Sequence, residues 1–177
     1  VGKSALAANT TGASNTAIGM EALLSNTTAS NNTALGRRAL NTNTTGTGNT
    51  AIGLESLYSN TTADNNTAVG LSALTANTTG ASNTAVGKFT LDANTTANNN
   101  TALGAAALTS CTTGDSNTAL GLSALEAVST GAANTAVGEN AGSSLTTGAN
   151  NLFLGRHSGI TGSPGGNITT SSHIICL

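Results

Sequence analysis

The chain holds 177 residues with a formal net charge of −2, of which 7% are charged and 2% aromatic, against about 25% charged in ordinary soluble domains. So little charge argues against a disordered polyelectrolyte and leaves no basic footprint for nucleic acid. No apolar run approaches the ~20 residues of a membrane helix, and two cysteines, Cys111 and Cys176, are too few for a disulfide framework and lack metal-ligand spacing.

From the first residues onward one pentapeptide returns. Asn15-Thr16-Ala17-Ile18-Gly19 comes back at Asn32, Asn49, Asn66, Asn83, Asn100, Asn117 and Asn134, and in altered form at Asn151-Leu152-Phe153-Leu154-Gly155. Its closing glycines, from Gly2 and Gly19 to Gly138 and Gly155, stand 17 residues apart. Fixed self-similarity is the mark of a repeat architecture, in which each unit buries its apolar face only against its neighbours. Residues 1–154 read as nine such coils. Residues 155–177 read as a divergent coil with a loop insertion, a transition to a following domain. The chain opens inside a unit, at Val1-Gly2, so we expect a segment of a longer protein.

With each unit counted from its glycine as slot 0, the consensus is Gly-x-x-Ala-Leu-x-x-Asn-Thr-Thr-(Gly/Ala)-x-x-Asn-Thr-Ala-(Val/Ile/Leu). The Asn-Thr-Ala-(Val/Ile/Leu) half predicts a short strand with Thr and the aliphatic on one face and Ala on the other. Asn-Thr-Thr-(Gly/Ala) predicts a turn. Gly-x-x-Ala-Leu suits either one helical turn or a second short strand. The expected fold is all-β, a parallel β-solenoid of 17-residue coils, with one strand plus one helical turn per coil as the alternative.

Two columns are consistently large and aliphatic, and we expect them to form the core. Slot 4 holds Leu6, Leu23, Leu40, Leu57, Leu74, Leu91, Leu108 and Leu125; slot 16 holds Ile18, Leu35, Ile52, Val69, Val86, Leu103, Leu120, Val137 and Leu154. All twelve Asp, Glu, Lys and Arg residues fall at slots 1, 2, 5 or 11, which must therefore face water. Stacking at roughly 4.8 Å would bring like side chains into register. The slot-13 residues Asn15, Asn32, Asn49, Asn66, Asn83, Asn100, Asn117, Asn134 and Asn151 would then form an amide ladder. Slot 7 carries a second ladder from Asn9 to Asn94 that breaks at Cys111, Val128 and Leu145. Slot 10 alternates Gly12, Ala29, Gly46, Ala63, and the sequence supplies no reason for it. Two large aliphatics per coil make a thin core. Chains packed side by side would support it, approaching over the small Ala column that begins Ala17, Ala34, Ala51.

No residues assemble a catalytic, cofactor-binding or metal pattern. His157 and His173 lie in the irregular end, and Asp64 and Asp115, though both in slot 11, lie three coils apart, roughly 14 Å, too far for paired-acid chemistry. Cys111 stands in an Asn slot with no basic neighbour to activate it. Asn-x-Thr sequons recur at Asn9, Asn26, Asn31, Asn43, Asn60, Asn65, Asn77, Asn94, Asn99 and Asn167; ladder and turn duty explains them better than glycosylation because they follow the coil period. Slots 8 and 9 offer a Thr array of the kind ice-binding solenoids present, although adjacent strand residues face opposite ways.

The Asn-Thr-Ala-(Val/Ile/Leu)-Gly repeats resemble the Asn-Ser-Val-Ala-Ile-Gly repeats in the head domains of trimeric autotransporter adhesins of the YadA type. Over Val1 to Gly155 they are also similar to repeat tracts in long bacterial surface proteins and bacteriophage tail fibres. The resemblance implies a left-handed trimeric β-roll that projects a binding region from a cell or virion. The YadA-type unit is shorter, and Thr16, Thr33 and Thr50 stand where it carries Val. The expected role is a non-enzymatic structural repeat of an extracellular fibre, with itself and a host-surface receptor or glycan as partners, no nucleic acid, and no membrane insertion by this segment. A self-polymerising solenoid filament is the alternative.

Overall fold

A computed structural model describes residues 1–160 and 168–177. The expected loop insertion after Ile160 falls largely outside these residues, as does the sequon residue Asn167. The chain is a parallel β-solenoid. Each coil contributes one short strand: β1 (Thr16–Ile18), β2 (Thr33–Leu35), β3 (Thr50–Ile52), β4 (Thr67–Val69), β5 (Thr84–Val86), β6 (Thr101–Leu103), β7 (Thr118–Leu120), β8 (Thr135–Val137), β9 (Leu152–Leu154) and β10 (Ile175–Cys176). They form a single sheet in sequence order. The register is one coil per step: Thr16 lies against Thr33, Ala17 against Ala34 and Ile18 against Leu35, and so on up the stack. The last step spans 23 residues rather than 17, since Ala149 N–H reaches Ser172 Oγ, and Ile175 still pairs with Leu152.

The Gly-x-x-Ala-Leu segment is neither the second strand nor the helical turn, and there is no helix among the described residues. Its backbone alternates in handedness, with slots 2 and 4 both left-handed: Glu21 has φ 59°, Leu23 φ 50°, Arg38 φ 60° and Leu40 φ 51°. This alternation lets amides point both ways along the axis. Glu21 N–H donates down to Lys3 C=O, while Leu23 N–H donates up to Ala39 C=O. A left-handed leucine costs about 1–2 kcal/mol. Complete burial of the slot-4 side chains from Leu23 to Leu125 offsets it.

The core corrects the sequence expectation. Slot 4 points inward, with Leu6 of the first coil packed against the cluster from its edge. Slot 16 does not: Ile18, Leu35, Leu103, Leu120 and Leu154 are 42–47% exposed, and Ile52, Val69, Val86 and Val137 are half-exposed. The Ala column expected to admit a neighbouring chain is buried instead, from Ala34 to Ala136. The strand therefore presents the opposite face. The reason is width, because slot 15 lies across the coil from the slot-4 leucine and leaves room for little more than a methyl group. At β9 slot 15 becomes Phe153, and slot 4 becomes Gly142 and Gly159. A Cβ at either glycine would meet the Phe153 ring, at 2.6 Å and 2.3 Å respectively.

The slot-10 glycines also acquire a cause. A Cβ on Gly12, Gly46 or Gly80 would lie 2.2–2.3 Å from the carbonyl oxygen of the next coil's Ala29, Ala63 or Ala97. In those glycine coils the following amides, of Ala13, Thr47 and Ala81, donate to side chains of the alanine coil above: Ser30 Oγ, Asp64 Oδ1 and Asn98 Oδ1. The Asn98 amide, which follows Ala97, makes the same bond to Asp115 Oδ1, so the bond does not depend on the glycine.

Candidate functional site

Two ladders of asparagine run through the interior, and they are built differently. At slot 7 the amides bond one another directly. Asn26 Nδ2 donates to Asn9 Oδ1 at 2.8 Å, Asn60 to Asn43 at 2.9 Å and Asn94 to Asn77 at 2.7 Å. The same nitrogens also donate to slot 10, as Asn60 does to Ala63 C=O at 3.1 Å. At slot 13 most of the rungs run through backbone. Asn32 N–H donates to Asn15 Oδ1 at 3.0 Å, while Asn15 Nδ2 reaches forward to Ala29 C=O at 2.8 Å. The pattern repeats through Asn49, Asn66, Asn83, Asn100, Asn117, Asn134 and Asn151, and Ile174 N–H closes it on Asn151 Oδ1. Buried polar groups cost free energy unless paired, and these two columns pair them coil by coil.

Slot 7 then changes character. Cys111, Val128 and Leu145 continue the column as fully buried residues, and Asn94 Oδ1, facing them, is a buried oxygen with no hydrogen-bond partner. Burial pushes the Cys111 thiol up to about 11, helped by Asp115 and opposed by the bond to Gly114 C=O. It is a protonated packing group, far from the low-pKa environment a reactive thiolate needs.

The outer surface is where this chain can meet anything else. Slots 14 and 16 of every strand turn outward, placing a Thr column (Thr16 to Thr135) beside the aliphatic column over eight coils with no charged residue in either. Met20, Leu54 and Leu122 at slot 1 extend the apolar surface across the glycine. Slot 8 spends its hydroxyls on the backbone of the next coil, as Thr10 does on Thr27 C=O and Thr44 on Thr61 C=O. Slot 9 does not. It is Thr in all ten coils from Thr11 to Thr170, exposed in each. Slots 8 and 9 are chemically alike in the sequence, whereas the structure separates them by the fate of the hydroxyl. Within-chain comparison of columns would have found slot 9, an exposed position that never varies.

The remaining candidates serve the scaffold. Asp64 and Asp115 accept the Thr47 and Asn98 amides at 2.6 Å each and do not face one another. Arg38 bridges Glu21 at 2.9 Å and Glu55 at 3.4 Å, one charge per coil, and Glu21 above all raises its pKa. Such half-exposed pairs contribute little to stability. His157 Nε2 lies 3.3 Å from Asn140 Nδ2, one coil away in the same slot. Among the described residues no three His, Cys, Asp or Glu side chains converge, and no helix is long and apolar enough to cross a membrane. No family model, curated protein or solved structure matches the chain.

Proposed function

We propose that this chain is a non-enzymatic structural repeat of an extracellular fibre, an adhesin head or shaft or a phage tail fibre, whose copies lie side by side as a parallel homotrimer. The observation that carries it is the outward aliphatic column, half-exposed at every coil and continuous along the sheet. A contiguous exposed apolar column, as opposed to scattered single residues, is the kind of surface that marks an interaction site. Burying the rest of each aliphatic contributes roughly 1 kcal/mol per coil, summed over a repeat whose own interior holds one large side chain per turn. Parallel chains in one axial register would set equal slots side by side. A host-surface receptor or glycan is the partner such a fibre would present itself to.

Light scattering on the purified chain tests this. A mass of three chains is expected, and Ile52→Asp with Val86→Asp should lower it to one while circular dichroism stays unchanged. A single-chain mass for the unaltered protein overturns it, and long rods one chain in cross-section would favour the filament alternative. The exposed, unpartnered Thr rank at slot 9 favours a second reading, binding to ordered water at an ice surface; a thermal-hysteresis measurement returning zero removes it.

A further inference from the structure

The ten Asn-x-Thr sequons are chemically alike in the sequence, and the fold sorts eight of them into two sets, with Asn9 half-buried at the start of the ladder and Asn167 outside the described residues. Asn26, Asn43, Asn60, Asn77 and Asn94 are wholly buried in the slot-7 ladder. Each amide nitrogen there has both protons engaged: Asn77 Nδ2, for example, donates to Asn60 Oδ1 at 2.9 Å and to Gly80 C=O at 2.9 Å. Asn31, Asn65 and Asn99, at slot 12, are exposed. Their backbones are left-handed, with φ 63°, 59° and 60°, a conformation asparagine tolerates well. Their side chains make no hydrogen bond among the described residues. Slot 13 turns inward between them and slot 14, so each exposed Asn shares the outer surface with its own sequon hydroxyl, Thr33, Thr67 or Thr101, none of them buried. Because the glycine coils carry Ser14, Gly48, Ser82 and Ser116 in slot 12, these sequons recur only every second coil, roughly 10 Å apart along the axis.

We propose that Asn31, Asn65 and Asn99 are N-glycosylation sites that are modified on the folded chain. The sugar donor is a hexose activated through phosphate, on a nucleotide or a lipid carrier. The anomeric carbon forms a bond to Asn Nδ2, the bond from that carbon to the phosphate oxygen breaks, and Nδ2 yields one proton to a base of the transferase. Folding must come first, because a sugar on any ladder asparagine would displace two buried hydrogen bonds and block the next coil from stacking. The inference rests on exposure alone and does not depend on the fibre reading.

The test is to incubate the folded chain with a soluble Asn-x-Thr glycosyltransferase and a nucleotide-activated hexose, then map modified peptides by mass spectrometry. Hexose is expected at Asn31, Asn65 and Asn99 and absent from Asn26, Asn43, Asn60, Asn77 and Asn94, and Asn65→Gln should remove one hexose while leaving the other two. The urea-unfolded chain should be modified at the ladder positions as well and should then fail to refold on dilution, while an untreated unfolded control refolds. The proposal is overturned if the folded chain takes no hexose at the three exposed sites while the unfolded chain does, or if the ladder positions are modified in the folded chain at the same rate.

Discussion

The coils up to Asn94 and those from Cys111 onward have the same backbone and fill it with opposite chemistry. In the first, slot 7 is a chain of amides; in the second it is Cys111, Val128 and Leu145. A ladder in which every amide donates to the coil before it must leave one oxygen unclaimed where it stops, and that oxygen is Asn94 Oδ1. Cysteine is suited to the seam because it packs as a small hydrophobe yet keeps a weak donor. The coil near Phe153 shows the same tolerance for another pair of slots, trading a leucine on one wall for a phenylalanine on the other. What the backbone requires is a filled cross-section and paired amides, and more than one set of side chains meets both demands.

The largest effect expected from breaking this comparison lies at slot 0. A Cβ on Gly70 would stand 2.3 Å from the Gly87 carbonyl oxygen, whereas Gly155 has nothing within 4 Å. Gly70→Ala should destabilise by more than about 3 kcal/mol. Gly155→Ala, strained only by its φ of 107°, should cost about 1 kcal/mol. Urea midpoints of the two variants compare them directly, and equal shifts would contradict close coil contact as the reason for the glycine column.

Within slot 7, Asn60→Ala removes the donor to Asn43 Oδ1 and Ala63 C=O and the acceptor of Asn77 Nδ2. It should cost about 3 kcal/mol, since three buried groups lose a partner. Val128→Ala, which strands no polar atom, should cost about 2 kcal/mol. Amide exchange accelerated equally in both variants would show the ladder to be dispensable.

The thiol gives a pH-dependent version. Its folded pKa of about 11 lies above the unfolded value of about 8.5, so the folded state holds the proton more tightly. That contribution is complete below about pH 8.5 and is lost as pH rises toward 11, by about 3 kcal/mol in all. Cys111→Val should flatten the difference in melting temperature between pH 8 and pH 10.5 relative to the unaltered chain; an unchanged slope would place the thiol in water.

The smallest effect is expected from Cys111→Asn. The new amide would supply Asn94 Oδ1 with a donor, but its own oxygen would then face Val128, so the orphan moves up one coil. Denaturation midpoints should agree within about 1 kcal/mol. A large gain would mean that the ladder ends on a hidden donor.

Much of this was readable from particular letters. The spacing of Gly19, Gly36 and Gly53 led to the 17-residue coil, and Asn32 above Asn15 led to a ladder. The same letters misled at Ile18 and Ala17, because a three-residue strand with one large and one small side chain has two possible faces and hydrophobicity favours the wrong one. The exchange of Leu125 for Gly142 in the same chain as Ala136 for Phe153 held the information, but it becomes a constraint only once slots 4 and 15 are known to oppose each other. The left-handed leucines were invisible because propensity assigns that conformation to glycine and asparagine.

Periodicity by itself determined that like residues stack on like, since a fixed repeat places each slot at one angle around a common axis. Which slots point inward was decided by the tertiary structure alone. The coil is too narrow for two facing aliphatics, so the interior takes leucine, methyl groups and satisfied amides, and the remaining aliphatic column is left on the surface.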